Sequence, residues 1–85
     1  MEKMRIEKLI TEYDTCIEYI EKSCRKENET AIKDIAIGAL KSKVGRRIKN
    51  SNGEISKLEM IELEKEIYRI RAKVHIELAE LYNRT

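Results

Sequence analysis

Five cations lie close together in the middle of the chain, with no acidic residue among them. Residues 41–49 read Lys-Ser-Lys-Val-Gly-Arg-Arg-Ile-Lys. Such a cluster attracts phosphate groups or an acidic protein surface, through its charge and the forked geometry of arginine. It can equally stay solvated and complement the dipole at a helix C-terminus. At helical spacing four of the cations share one broad side with the fifth nearby: Lys43, Arg46, Arg47 and Lys49, then Lys41.

The charge of the chain is otherwise nearly balanced. The formal net charge is only +2, whereas a dedicated nucleic-acid binder is usually much more basic. Residues 30–53 contain six basic residues and one acidic residue, and the flanking segments are slightly acidic. The candidate ligands of the cluster are therefore an acidic surface of a protein or of another subunit and, as the alternative function, nucleic acid or a small nucleotide held between subunits.

The residue types that most often catalyse reactions or bind metals are sparse. His75 is the only histidine, and no further His or Cys lies at metal-ligand spacing from it, so we expect a packed or half-buried imidazole. Cys16 and Cys24 are about 12 Å apart along one helix, too far for a disulfide. We expect buried, reduced thiols, with an inter-chain bond through Cys24 as the alternative. No phosphate-binding loop or zinc-protease pattern appears. We expect a protein that is not an enzyme and has no cofactor or metal.

A long helix is predicted near the C-terminus, at about residues 56–83. Ser56 and Glu59 have the spacing of a capping box, flanked by Ile55 and Met60 as a hydrophobic staple. Apolar residues then recur every three or four positions, and a second lane of Ile61, Tyr68, His75 and Tyr82 runs beside them. Because this apolar arc is broad, we expect a partner helix from another subunit. The predicted interface consists of Met60, Ile67, Tyr68, Val74, His75, Leu78 and Tyr82.

Two more helices are predicted before it. The first, at about residues 2–27, is amphipathic, and a short connection follows in which Asn28 or Thr30 is the expected N-cap. The middle helix, at about 29–49, is expected to continue past Gly38 and Gly45, although Gly38 could mark a close backbone approach or Gly45 could end the helix as its C-cap. The turn signal Asn-Ser-Asn-Gly at residues 50–53 then ends it.

Taken together, these patterns predict an all-α, three-helix bundle covering residues 1–85 as a single domain. Two long amphipathic outer helices flank a shorter basic middle helix, and the chain oligomerises through the C-terminal helix. We expect a cytoplasmic homodimer or higher oligomer that does not enter a membrane. Its expected function is to bind a protein partner as an inhibitor, adaptor or regulator. Compact charged chains of this kind occur among phage and plasmid accessory proteins, which is an analogy at the level of the fold only.

Overall fold

Helices make up most of the chain, as the sequence predicts. The computed structural model describes residues 2–83. Residues 30–49 continue from α-helix to π-helix to α-helix without a break, and we call this whole stretch the middle helix. In chain order the elements are β1 (Lys3–Arg5), α1 (Glu7–Ser23), a 3₁₀ turn (Glu27–Glu29), α2 (Thr30–Leu40), a π-helical segment (Lys41–Gly45), α3 (Arg46–Lys49), β2 (Glu54–Ser56) and α4 (Lys57–Asn83).

The core lies where α1, α2 and α4 contact one another. It is a narrow core, because the structure measures 51 × 17 × 16 Å. Leu9, Ile20, Leu40 and Val44 have no exposed surface at all. The side of α4 that faces this core repeats every three or four residues and consists of Met60, Leu63, Ile67, Ile70 and Val74.

The N-terminus forms a strand rather than the first turn of a helix, so the predicted start of the first helix near residue 2 is wrong. β1 pairs antiparallel with β2, and Met4 lies opposite Ile55. The buried Ile6 follows the strand, and its N–H donates to the carbonyl of Gly53 at 3.2 Å. The charged residues of this segment are good helix formers, but pairing with β2 satisfies their backbone groups instead.

The turn before β2 forms where the sequence predicts it. Asn52 and Gly53 both have positive φ angles, of 54° and 89°. Such backbone conformations favour asparagine and glycine because a larger side chain would clash with its own backbone. The turn therefore reverses the chain and delivers β2 to the edge of β1.

Only half of the predicted capping box forms at the start of α4. The N–H of Glu59 donates to the Ser56 hydroxyl at 3.2 Å. The Glu59 carboxylate does not return to Ser56, because both of its oxygens accept hydrogen bonds from Arg47. Ile55 and Met60 are both buried in the core, as expected of the hydrophobic staple.

Neither Asn28 nor Thr30 caps the helix after the first connection, contrary to the sequence prediction. Instead, the Glu29 carboxylate accepts a hydrogen bond of 3.0 Å from the N–H of Lys26 and closes the 3₁₀ turn. Glu29 is also the one buried charged residue of the described chain. The side chain that orders this connection is therefore that of Glu29, which lies between the two expected caps.

The middle helix is continuous through both glycines, with Gly38 in α2 and Gly45 at the end of the π-helical segment. A Cβ at Gly45 would lie 2.6 Å from the hydroxyl oxygen of Tyr13, closer than a real Cβ approaches any atom. At Gly38 there is no atom within 4 Å of the corresponding position. The close approach that the sequence suggested at Gly38 thus occurs at Gly45, where the missing side chain leaves room for Tyr13 of α1.

Candidate protein-binding surface

The predicted interface residues of α4 divide into two groups. Met60, Ile67 and Val74 are buried inside the chain itself and therefore form part of its own core. Tyr68, His75 and Tyr82 are exposed, and Leu78 is half-buried. The exposed lane is the part of the prediction that is available to another molecule.

Within the second lane, Ile61 and Tyr68 belong to a wider apolar surface on the opposite side of α4 from the core, whereas His75 and Tyr82 lie beside it. At 100° per residue this surface lies about half a turn from the core residues of the helix. Tyr68 is 59% exposed, Leu58 72% and Ile76 57%. We call this surface the outer face of α4; it consists of Leu58, Ile61, Tyr68, Ala72, Ile76 and Ala79.

Leu58 and Ile76 were not among the residues that the sequence pattern singled out. Leu58 stands between two charged residues and Ile76 between His75 and Glu77, and neither falls on the stripe that predicts the core. Their positions relative to Tyr68, ten residues before and eight after, bring them to one side of the helix. This spacing, separate from the one that marks the core stripe, is the sequence feature that could have indicated an apolar outer face.

A polar contact holds the C-terminal end of α4. The Tyr82 hydroxyl donates a hydrogen bond to the buried carboxylate of Glu29, and the ammonium of Lys26 lies 5.5 Å from the Tyr82 ring centre. The hydrogen bond to Glu29 raises the pKa of Tyr82, and the same bond lowers the pKa of Glu29, with help from the Lys26 N–H. Tyr82 therefore ties the last turns of α4 to the connection between α1 and α2.

A cluster of Tyr19, Arg71 and His75 joins α1 to the side of α4. The Arg71 guanidinium lies 4.4 Å from the centre of the Tyr19 ring. The Tyr19 hydroxyl is within hydrogen-bonding distance of the His75 imidazole, and the two rings are 5.2 Å apart. The single histidine thus has a tyrosine partner. Its side chain is exposed rather than half-buried, so the expectation is wrong as to its burial.

Two of the five cations in the basic cluster form ion pairs with α4. Lys43 lies 3.4 Å from a carboxylate oxygen of Glu66, and Arg47 forms a two-pronged contact with Glu59. That contact raises the pKa of Arg47 and lowers the pKa of Glu59. Within residues 2–83 the remaining three cations make no ion pair and are exposed: Lys41, Arg46 and Lys49.

A small niche between α1 and α4 contains an unusual carboxyl group. Oxygen Oε2 of Glu12 is buried and has no hydrogen-bond partner among the residues described. Burial raises the pKa of Glu12, and the nearby carboxylate of Glu64 raises it further. The niche has a volume of about 210 Å³ and is also lined by Tyr68 and Arg71. Sequence spacing does not reveal this pair, because the two acids belong to different helices.

Both cysteines are free and buried, as the sequence predicts. Burial raises the pKa of each thiol, so neither is activated as a nucleophile. Across residues 2–83, no three side chains of the metal-binding types come together as they would around an ion.

Two further results bear on the class of protein. None of the helices in the described chain combines the length and the apolar character needed to cross a membrane. Comparison of the chain with protein-family models, with curated proteins and with solved structures gave no match. The function must therefore be inferred from the surfaces of the molecule.

Proposed function

We propose that this chain is a small, non-enzymatic helical protein that acts by binding other proteins through the outer face of α4. Inhibitors, adaptors and regulators work in this way, by occupying a surface rather than by changing a substrate. The observation that carries the proposal is the alignment of Leu58, Tyr68 and Ile76 on one side of a helix whose other side is already buried. Exposed apolar residues are common singly, but several on one face are typical of an interface.

The composition of the outer face supports the same proposal. Tyrosine is among the residues that contribute most to binding energy at interfaces, and the flanking isoleucine and leucine supply apolar area. Ala72 and Ala79 leave room for the side chains of an approaching helix. The surface therefore suits an extended helical partner better than a small ligand.

The experiment compares capture of partner proteins by the purified chain and its variants. We expect Tyr68→Glu and Ile76→Glu to reduce capture at least tenfold, because each places a charge in an apolar contact. Ala31→Glu is the matched control: it adds the same charge at an exposed position of α2 and should bind like the wild type. Equal capture by all four proteins would contradict the proposal.

A second candidate function is anion binding, favoured by the three unpaired cations Lys41, Arg46 and Lys49. Nucleic acid, a nucleotide or an acidic protein surface would supply the opposite charge. Binding to a phosphate polymer releases counterions, so retention on single-stranded DNA should fall steeply as salt increases. Replacing all three cations with alanine should abolish the retention.

The control for this second function removes the same charge elsewhere. Lys8, Arg25 and Lys73 are exposed and scattered over the chain. If their combined alanine variant lost as much retention as the Lys41, Arg46 and Lys49 variant, only the overall charge would matter. The cluster would then have no specific role.

A further inference from the structure

We propose that the outer face of α4 binds the same face of a second copy of this chain, with the two α4 helices parallel and in register. The inference rests on the proposed function, since it names the first partner of that surface. Its evidence is the spacing of the residues along the outer face and the order of the charges on both sides of it.

The first half of the outer face has the spacing of a coiled-coil seam. Leu58, Ile61, Lys65, Tyr68 and Ala72 follow one another at alternating steps of three and four residues. This is the heptad pattern in which side chains of one helix fit between those of its neighbour. α4 is thus a helix with two seams, one used by its own chain and one free.

The charged residues beside this seam are complementary to themselves in a parallel pair. In that arrangement the residue just before the first seam position of each heptad, Leu58, Lys65 or Ala72, faces the residue five places later in the other helix. Lys57 would face Glu62 of the second copy, and Glu64 would face Arg69 of the second copy. Because the pair is symmetric, each contact occurs twice, which makes four contacts between opposite charges.

An antiparallel pair has no such complementarity when the whole of α4 overlaps. The two-fold axis of the pair would then pass beside Ile70. This brings Arg69 next to Arg69 of the second copy and Arg71 next to its Arg71. Moving the helices by one heptad would replace these like-charge contacts with contacts of Arg69 to Glu62 and of Glu64 to Arg71 of the second copy. That register, however, leaves the last seven residues, 77–83, outside the contact, and with them Ala79 of the outer face.

Lys65 is the one charged residue within the seam. In a parallel pair it would lie beside Lys65 of the second copy, which weakens association but permits only the in-register alignment. Its long aliphatic stem can cover apolar surface while the ammonium remains in water. A lysine at this position is therefore compatible with a moderate affinity and a single register.

The remainder of the chain leaves room for this arrangement. α1 and the middle helix pack against the side of α4 formed by Leu63, Ile67 and Ile70. The outer face points away from both, except at Tyr68, which also borders the niche against α1. A second copy could approach along the whole length of α4, about 40 Å for 27 residues.

Two charge variants test the register directly. Lys57→Glu and Glu62→Lys each place like charges opposite one another twice in their own homodimers, so each should self-associate about tenfold more weakly than the wild type. An equal mixture of the two variants should recover the wild-type affinity, since both contacts are again between opposite charges. Recovery in the mixture supports the parallel arrangement, and its absence overturns it.

Disulfide trapping provides a test that does not depend on charge. A parallel pair places Cys at residue 58 of both copies side by side, so Leu58→Cys should form a covalent dimer under mild oxidation. In the antiparallel pair centred on Ile70 the two residues would be about 36 Å apart. Asp34→Cys, an exposed position on α2, is the control that should stay uncrosslinked.

The outcomes separate this inference from the function on which it rests. If the wild type self-associates and Leu58→Cys does not crosslink, the parallel arrangement is wrong but the outer face can still bind proteins. If the wild type does not self-associate, the second copy is wrong as a partner. The capture experiment with Tyr68→Glu then decides the proposed function independently.

Discussion

Gly45 lies directly against the phenol ring of Tyr13. A Cβ at residue 45 would be 2.6 Å from the tyrosine hydroxyl oxygen and 3.2 Å from the ring carbon that bears it. This contact coincides with the end of the π-helical segment Lys41–Gly45. The missing side chain allows Tyr13 of α1 to approach the backbone of the middle helix.

Gly45→Ala should therefore destabilise the protein by about 1–2 kcal/mol, because the clash outweighs the better helix propensity of alanine. Unfolding by urea measures this loss. Gly38→Ala is the matched control, since its added Cβ meets no atom within 4 Å. That variant should instead be stabilised by about 0.5–1 kcal/mol.

The same contact can be relieved from the other side. Tyr13→Phe removes the hydroxyl, so Gly45→Ala should cost clearly less in a Tyr13→Phe background than in the wild type. A double-mutant cycle measures this difference. Equal costs in the two backgrounds would show that the hydroxyl does not limit the packing at residue 45.

Glu12→Gln should stabilise the protein at neutral pH, by roughly 0.5 kcal/mol. The pKa of Glu12 is raised above its ordinary 4.5 by burial and by Glu64. The folded state therefore holds the proton more tightly, and stability falls as the pH rises from 4.5 through the raised pKa. The gain from the amide should disappear below pH 4.5, where the carboxyl is protonated in both states. Unfolding curves at several pH values test this, with the exposed Glu21→Gln as a control that should show no such gain.

Arg47→Gln should lower the thermal midpoint by a few degrees at neutral pH. The two-pronged contact with Arg47 lowers the pKa of Glu59 from its ordinary 4.5. Its contribution to stability is therefore complete above 4.5 and is lost as the pH falls through the lowered pKa. The difference between variant and wild type should shrink in acid. A difference that is the same at all pH values would mean that Arg47 acts by packing and not through this carboxylate.

Tyr82→Phe should raise the pKa of Glu29 toward its ordinary value. The hydrogen bond from Tyr82 is the largest cause of the lowered pKa, and the bond from the Lys26 N–H remains in the variant. The shift should therefore be partial. Titration of the Glu29 side-chain carboxyl by NMR measures it, and amide hydrogen exchange should be faster in the last turns of α4. An unchanged Glu29 titration would show that the tyrosine hydroxyl is not its partner.

The helical segments were predictable because their apolar residues recur with the helical period. Ser56 and the turn at Asn52 and Gly53 also act through local backbone geometry, which sequence patterns report directly. The strand β1 was missed because its partner lies about fifty residues away. Its three residues read Lys-Met-Arg and contain no strand signal of their own.

The site could be predicted only in part, for a similar reason. The pattern indicated a broad apolar arc on α4, and Tyr68 and His75 are indeed exposed while Met60 and Val74 are buried. Which half of the arc is covered depends on where α1 and the middle helix pack. The pairing of Arg47 with Glu59 and of Lys43 with Glu66 likewise depends on contacts between helices. These contacts reduced five candidate cations to three.

Sedimentation equilibrium of the wild-type chain over a wide concentration range tests whether a second copy covers the outer face of α4. We expect a mass that rises from that of one 10.0-kDa chain to twice that value. Ile76→Glu, with its charge on the outer face of α4, should keep the single-chain mass much further up the concentration range while remaining equally helical. A wild-type chain that has the single-chain mass at every concentration would contradict the claim that a second copy covers this face.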